Sequence, residues 1–323
     1  MQQGQVAQAQ AHYDAALNIQ RELGNRNREG RILAALGNLH ESQGRVQLAL
    51  EHYEAGLAIH RLQGDLASQA FELIGVGAVQ LNTGQFAKAR EAFDQALELH
   101  LECGNRRDAA LVLNNLGNWA LIQGRVDEAI PFYTRALAMF RDVGVRFYES
   151  VVLGNLANVY EEQGQLEQAR LQNEEVLSIQ REVNNPRSEG ITLGNLGQLA
   201  LVQGRPGQAR EFLEQALAKH RMVGNRRFEG LALGMLAAVF IDLGQLPPAR
   251  QALQQGEALL RDVQDIVELA HLLCVRGRAE HLDGNLAQAL ATLAEAQGIA
   301  NTVHAEPGSD LARAITKLRS TLT

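Results

Sequence analysis

Glycine recurs at Gly44, Gly84, Gly124, Gly164, Gly204, Gly244 and Gly284, each 40 residues after the last, and Gly4 extends the series backwards. Five residues after each stands an alanine: Ala9, Ala49, Ala89, Ala129, Ala169, Ala209, Ala249 and Ala289. A leucine holds the same period at Leu33, Leu73, Leu113, Leu153, Leu193, Leu233 and Leu273. Such a period means one supersecondary unit copied in tandem, each copy burying its apolar face on its neighbours. A chain of 323 residues would otherwise suggest about two globular domains.

Inside each copy the apolar spacing is helical. Leu113, Leu116, Gly117 and Ala120 fall at i, i+3, i+4 and i+7, and Val126, Ala129, Tyr133, Ala136 and Leu137 continue that spacing after the turn at Gly124. A second turn series runs Gly24, Gly64, Gly104, Gly144 and Gly224, with Asn184 and Gln264 in the two remaining slots. Glycine suits the residue just past a helix end because it accepts a positive φ. Each copy is therefore helix A, a turn, helix B and a second turn, with no strand signal. Helix A is expected near 29–43 and at 40-residue steps to 269–283, and helix B near 45–63 and onward to 285–304. Gly117 and Ala129 stand where the two helices of a copy must approach closely.

The expected organisation is one solenoid over 1–323: residues 1–24 as an unpaired helix B, seven repeats over 25–304, and a C-terminal capping helix over 305–323. The first piece matches a helix B, with Ala9, Tyr13, Ala16 and Leu17 in register with Ala49, Tyr53, Gly56 and Leu57, and its helix A is missing. Either the chain is the tail piece of a longer protein or another element covers that face; a short N-terminal cap is the alternative. The last helix carries Leu311, Ile315 and Leu318 on one face.

Charge and composition exclude several functions. The net charge is −7, with no basic run or basic stripe interleaved with aromatics, so nothing points to nucleic acid. No apolar run reaches the ~18 residues that would cross a membrane. The N-terminus lacks the basic start and apolar core of a signal peptide. The two cysteines, Cys103 and Cys274, read as free thiols, and a cytoplasmic location is expected. Cys103 shares a slot with Val143, Val183 and Val223, and Trp119 one with Leu39, Val79, Val159 and Leu199; both read as packing residues. There is no HExxH, CxxC, P-loop or Gly-x-Ser-x-Gly. His60, His100 and His220 share one repeat position, and equivalent positions lie roughly 10 Å apart, too far to share a metal. No cofactor, no metal and no enzymatic activity are expected.

The recurring pattern L-x-x-L-G-x-x-[Y/A/H]…A-x-x-x-[F/Y/L] runs through Leu33, Leu36, Gly37, His40, Ala49, Tyr53 and again through Leu113, Leu116, Gly117, Ala120, Ala129, Tyr133. It resembles the tetratricopeptide repeat. The period of 40 rather than 34 resembles the long-repeat branch, which includes the Leu-Gly-Asn-repeat adaptor, kinesin light chain and bacterial signalling proteins. The resemblance implies an all-α, right-handed superhelical α-solenoid of tandem antiparallel helix pairs, with helices A lining the concave face. It does not itself fix a function.

The candidate site comes from asparagines, which are mediocre helix formers. One column is Asn115, Asn155 and Asn195; another is Asn38, Asn118 and Asn158, continued by Gln198; Asn114 lies beside them. The two columns are three residues apart, hence on one face. In the family that this chain resembles, these positions face the groove and grip the backbone of an extended peptide. An amide suits that task because it offers donor and acceptor together. Alternatively the amides bond neighbouring repeats and fix their geometry, or are relics of duplication. Arg31 and Glu41 are polar residues at the first end of the groove, and Leu111, Val151, Ile191 and Leu231 are aliphatics at its middle, which either anchor a partner or pack against helix A of the next repeat. The arginines of the second turns, among them Arg106, Arg107, Arg226 and Arg227, either meet an acidic partner or lie solvated beside Asp and Glu.

The function expected is a non-catalytic scaffold that binds a partner protein or peptide, an extended or helical segment with apolar anchors, as the recruitment or sensor part of a larger signalling protein. The alternative is a regulatory domain whose superhelix pitch changes on ligand binding. Exposed stack ends would permit self-association.

Overall fold

The computed structural model describes residues 2–323, with side chains from residue 6. It divides into two compact units between Val159 and Tyr160. The helices of the first are α1 (Gln2–Glu22), α2 (Arg26–Ser42), α3 (Val46–Gln63), α4 (Leu66–Asn82), α5 (Phe86–Glu102), α6 (Arg106–Ile122), α7 (Val126–Val143) and most of α8 (Arg146–Glu162), in which the division falls. The second holds α9 (Leu166–Glu182), α10 (Pro186–Val202), α11 (Pro206–Met222), α12 (Arg226–Asp242), α13 (Leu246–Asp262), α14 (Ile266–Leu282), α15 (Leu286–Thr302) and α16 (Asp310–Leu322). Even-numbered helices from α2 to α14 are the helices A. No strand occurs among the described residues.

Each helix A begins three residues before the periodicity places it, at 26 rather than 29 and so along the chain. Asn25, Asp65, Asn105, Asn185 and Asp265 accept the backbone N–H three residues on, which satisfies a helix-end donor and moves the start forward.

Within a repeat the two helices touch through a small residue under a large one. A Cβ added at Gly117 would lie 2.5 Å from Cε1 of Tyr133, and Tyr133 is fully buried. Between repeats, an arginine near the end of a helix B reaches a glutamate at the start of the next helix A: Arg21 to Glu29 (2.9 Å), Arg181 to Glu189 (3.1 Å) and Arg221 to Glu229 (2.8 Å). Burial raises the Glu29 and Glu189 carboxyls, but their hydrogen bonds to Arg21 and Arg26, and to Lys219 and Arg181, outweigh it and hold both below the ordinary value. α1 packs on α2, and Leu17 joins Leu33 and Leu36 in one core cluster. Tyr13, in the register of the fully buried Tyr53, is 37% exposed. At the other end α16 covers α14 and α15, burying Leu311, Ile315 and Leu318.

The second turns all take the left-handed conformation, including the two non-glycine slots: Asn184 has φ 51° and Gln264 φ 57°. His304, the next slot of the same series, follows at φ 50°. A side chain costs about 1–2 kcal/mol there and asparagine less, while glycine loses more chain entropy on folding. Gln264→Gly is therefore expected to stabilise the protein by about 0.5–1 kcal/mol. A lower midpoint in urea would contradict the strained-turn account.

Candidate functional site

The column that begins at Asn38 divides by what lies beneath it. The Tyr53 hydroxyl donates to Asn38 Oδ1 at 2.5 Å, and the Tyr133 hydroxyl donates to Asn118 Oδ1 at 2.7 Å. Where the aromatic is Phe93, with no hydroxyl, the slot that would hold the amide is Ala78. These two asparagines thus accept from buried phenols, while Asn38 is exposed and Asn118 half-buried. Asn155 donates to Asn114 Oδ1 at 2.8 Å, a tie between successive helices A. Asn115 is half-buried, while Asn158, Asn195 and Gln198 are exposed; the side chains of all four have no hydrogen-bond partner among the described residues. In the second unit Gln198 stands with Leu213, which needs no acceptor.

Two helix A glycines stand beside this column without a packing reason. A Cβ added at Gly154 or Gly194 would meet nothing within 4 Å, in contrast to Gly117 or Gly197. Glycine inside a helix costs about 1 kcal/mol relative to alanine. At these two places the backbone is left bare to the outside. Further along the second unit, α10, α12 and α14 enclose a mostly apolar hollow of about 470 Å³ lined by Gln198, Leu201, Leu231, Gly234, His271 and Val275 among others. Leu231 and Ile191 are half-buried and Val151 is 39% exposed, so the aliphatic positions are only partly consumed by packing.

Arg31 is exposed and lines a second hollow of about 360 Å³, in the first unit, with Asn38, His60, Phe71, Glu72 and His100. Glu72 was not expected to matter. It is 1% exposed, in a column otherwise filled by Ile32, Val112, Val152, Thr192, Ala232 and Leu272. Its Oε1 lies 2.7 Å from Nδ1 of the fully buried His60, and its Oε2 has no partner. Burial, assisted by the Asp65 carboxylate, pushes the Glu72 carboxyl up to about 8. Both ring nitrogens of His100 are also buried without partners, and burial lowers its pKa. The signal that could have found this cluster is a carboxylate alone in an apolar column, twelve residues after a histidine.

The turn arginines are mostly neutralised: Arg106 pairs with Asp142, Arg226 with Asp262 and Arg227 with Asp265, and Arg107 lies over the Tyr148 ring. Trp119 is packed, with Nε1 donating to the Phe86 carbonyl at 2.8 Å. Cys103 is exposed, contrary to the packing expectation, because its slot lies at the C-terminal end of helix B, capping α5 as Val183 caps α9, and Val143 and Val183 are exposed there as well. Cys274 is buried, and burial pushes its thiol up to about 11, so it is little ionised and unreactive. Among the described residues, no group of three or more His, Cys, Asp or Glu side chains is placed to hold a metal ion, and no helix is long and apolar enough to cross a membrane.

Antiparallel helix pairs stacked in register, with small-over-large contacts inside each pair, define a helical-repeat solenoid. A model of the tetratricopeptide repeat matches residues 1–61, 69–142, 148–222 and 188–262, and the chain belongs to that family. No curated protein matches the chain. Among solved structures it is similar to the apo form of RapI (14% identity, 99% of this chain and 93% of that one, TM-score 0.72). It is also similar to a signal-transduction ATPase with numerous domains from Pyrococcus horikoshii that has a tetratricopeptide repeat sensor (14% identity, TM-score 0.68). The match covers 96% of this chain and 48% of that one. A third is a Rap protein complexed with competence and sporulation factor (13% identity, 97% and 98% coverage, TM-score 0.53). At these identities the likeness is one of fold.

Proposed function

We propose that the helix A face is a non-catalytic binding surface for an extended segment of a partner protein or peptide. Family membership and the Rap and sensor neighbours support an interaction scaffold or sensor. The observation that carries the finer reading is the juxtaposition in α10 of Gly194, bare of any neighbour, with Asn195 and Gln198, exposed and without partners. A helix that gives up about 1 kcal/mol for a glycine with no packing role gains close approach of another backbone. The adjacent amides then pair with peptide units whatever their side chains. The apolar hollow beside Gln198 and Leu201 accepts an anchor side chain. Asn158 and Gly154 repeat the arrangement in the first unit, and Asn115 adds a half-buried amide; Asn38, Asn114, Asn118 and Asn155 contribute only the hydrogen-bonding capacity that their internal partners leave. Similarity to the sensor of a larger ATPase supports a recruitment or sensor role within a signalling protein.

A random peptide display library panned on the full chain tests this. Enriched peptides are expected to lose about tenfold in affinity with Asn195→Ala plus Gln198→Ala, from two lost amide pairs of roughly 0.5–1.5 kcal/mol each. Gly194→Leu should abolish binding by occupying the approach. Melting of both variants should stay within a degree or two of the parent. Peptides that bind all variants equally, or an amide variant that melts several degrees lower, would return the amides to a structural role.

A further inference from the structure

The cluster of Glu72, His60 and His100 is a feature that solenoid packing does not require. The same two slots two repeats on are filled by Phe140 and Val152, both fully or almost fully buried. The chain therefore has an apolar solution at hand. In the first unit it instead buries a carboxyl and two imidazoles and leaves three polar atoms without partners: Glu72 Oε2, His100 Nδ1 and His100 Nε2. Unsatisfied buried polar atoms are costly, and each calls for a partner that the bare chain does not supply. All three side chains line one cavity of about 360 Å³, opening beside Arg31, Asn38 and Phe71.

We propose that this cavity is a binding subsite for an organic cation bearing N–H donors, a guanidinium or primary ammonium, with Glu72 Oε2 as its acceptor, an imidazole nitrogen of His100 as a second, and the Phe71 ring beside its alkyl stem. The sign of the charge follows from the lining. Asp108 lines the cavity and Asp65 lies close to Glu72, which adds a further negative charge once ionised, against the one guanidinium of Arg31, which is exposed. Asp108 is held by Asn105 at 2.6 Å and Asp65 by Asn27 at 2.9 Å, so neither carboxylate is neutralised by a cation of its own there. A neutral ligand would leave that field uncompensated. His60 donates its Nδ1–H to Oε1 when Glu72 is ionised, which leaves Oε2 for the ligand.

Binding should be proton-linked. The groups that face Glu72 are His60 from α3, Asp65 at the start of α4, His100 from α5, Arg31 from α2 and Asp108 from α6. A cation favours the ionised carboxylate, so Glu72, with its carboxyl near 8, releases its proton on binding below that pH. Affinity for a permanently charged guanidinium then rises about fivefold between pH 7 and 8. The subsite deepens the groove reading, since Asn38 belongs to both, but its chemistry has two sources: an arginine or lysine side chain of a captured segment, or a free alkylamine or alkylguanidine.

The test is calorimetric titration of the full chain with N-butylguanidinium, with a capped Gly-Arg-Gly tripeptide, and with the Gly-Gln-Gly tripeptide as neutral control. Saturable binding of the cations and none of the control is expected, reduced at least tenfold in Glu72→Gln and without the rise between pH 7 and 8. Tighter binding of the tripeptide identifies a peptide side chain as the source; equal or tighter binding of N-butylguanidinium identifies a free cation. The His60→Phe plus Glu72→Val variant, which copies Phe140 and Val152, keeps the fold and should bind neither. No saturable binding by either cation would overturn the proposal and leave the cavity to water; undiminished binding in both variants would overturn the role of Glu72. Neither result bears on α10, where the groove reading has its own test.

Discussion

Gly117→Val should destabilise the first unit by about 3 kcal/mol, the upper end of the cost of overpacking. A Cβ alone would come within 2.5 Å of the Tyr133 ring. That ring cannot yield, because it is fully buried and its hydroxyl is held by Asn118 at 2.7 Å. α6 and α7 must then separate, and Leu116 and Ala136, both fully buried, lose contacts with them. At about 2–4 °C per kcal/mol for a unit of this size, the midpoint falls by about 6–12 °C. In a Tyr133→Ala background the valine should cost far less, since the ring it meets is gone. If the two changes simply add, ring contact is not the cause.

The second large effect runs the other way. His60→Phe combined with Glu72→Val should stabilise the protein by about 1–4 kcal/mol, the range seen when buried polar pairs are replaced by packed apolar residues. The replacement removes the unpartnered Glu72 Oε2 and a carboxyl that burial pushes up to about 8. Room exists: Gly30 stands over His60, whereas the bulkier Ala110 occupies the equivalent place thirty residues before Phe140. Either change alone should be unfavourable, because it strands the other partner. Thermal melts of the two single variants and the double variant check this; a double variant less stable than the parent would mean that the pair itself holds the repeats together.

The architecture could be read from residues because every copy repeats the same few constraints. A 40-residue recurrence of Gly, Ala and Leu placed the helices and turns, including the second turns at Asn184 and Gln264, where the structure has φ 51° and 57°. Helix starts lie three residues earlier than the apolar stripe indicates; at five of the seven helices A a capping Asn or Asp marks the start, while α8 and α12 begin at the same place without a side-chain cap. The amide columns were legible as columns, but not their division. Tyr53 and Tyr133 sit in the apolar stripe, and nothing in hydropathy shows that their hydroxyls claim Asn38 and Asn118. Glu72 escaped notice because charged residues on helices are normally solvated; only its apolar column mates expose the anomaly.

The arginine-to-glutamate clasps have reach of a single step. Arg181 touches Glu189 and Arg221 touches Glu229, each bridging a helix B to the helix that follows it. Interactions of such short span make the stack's length an independent variable for evolution. A segment of one full period can be lost or copied with the register of every seam kept and only the junction composed anew, while an insertion of any other size dislocates the seam in which it falls.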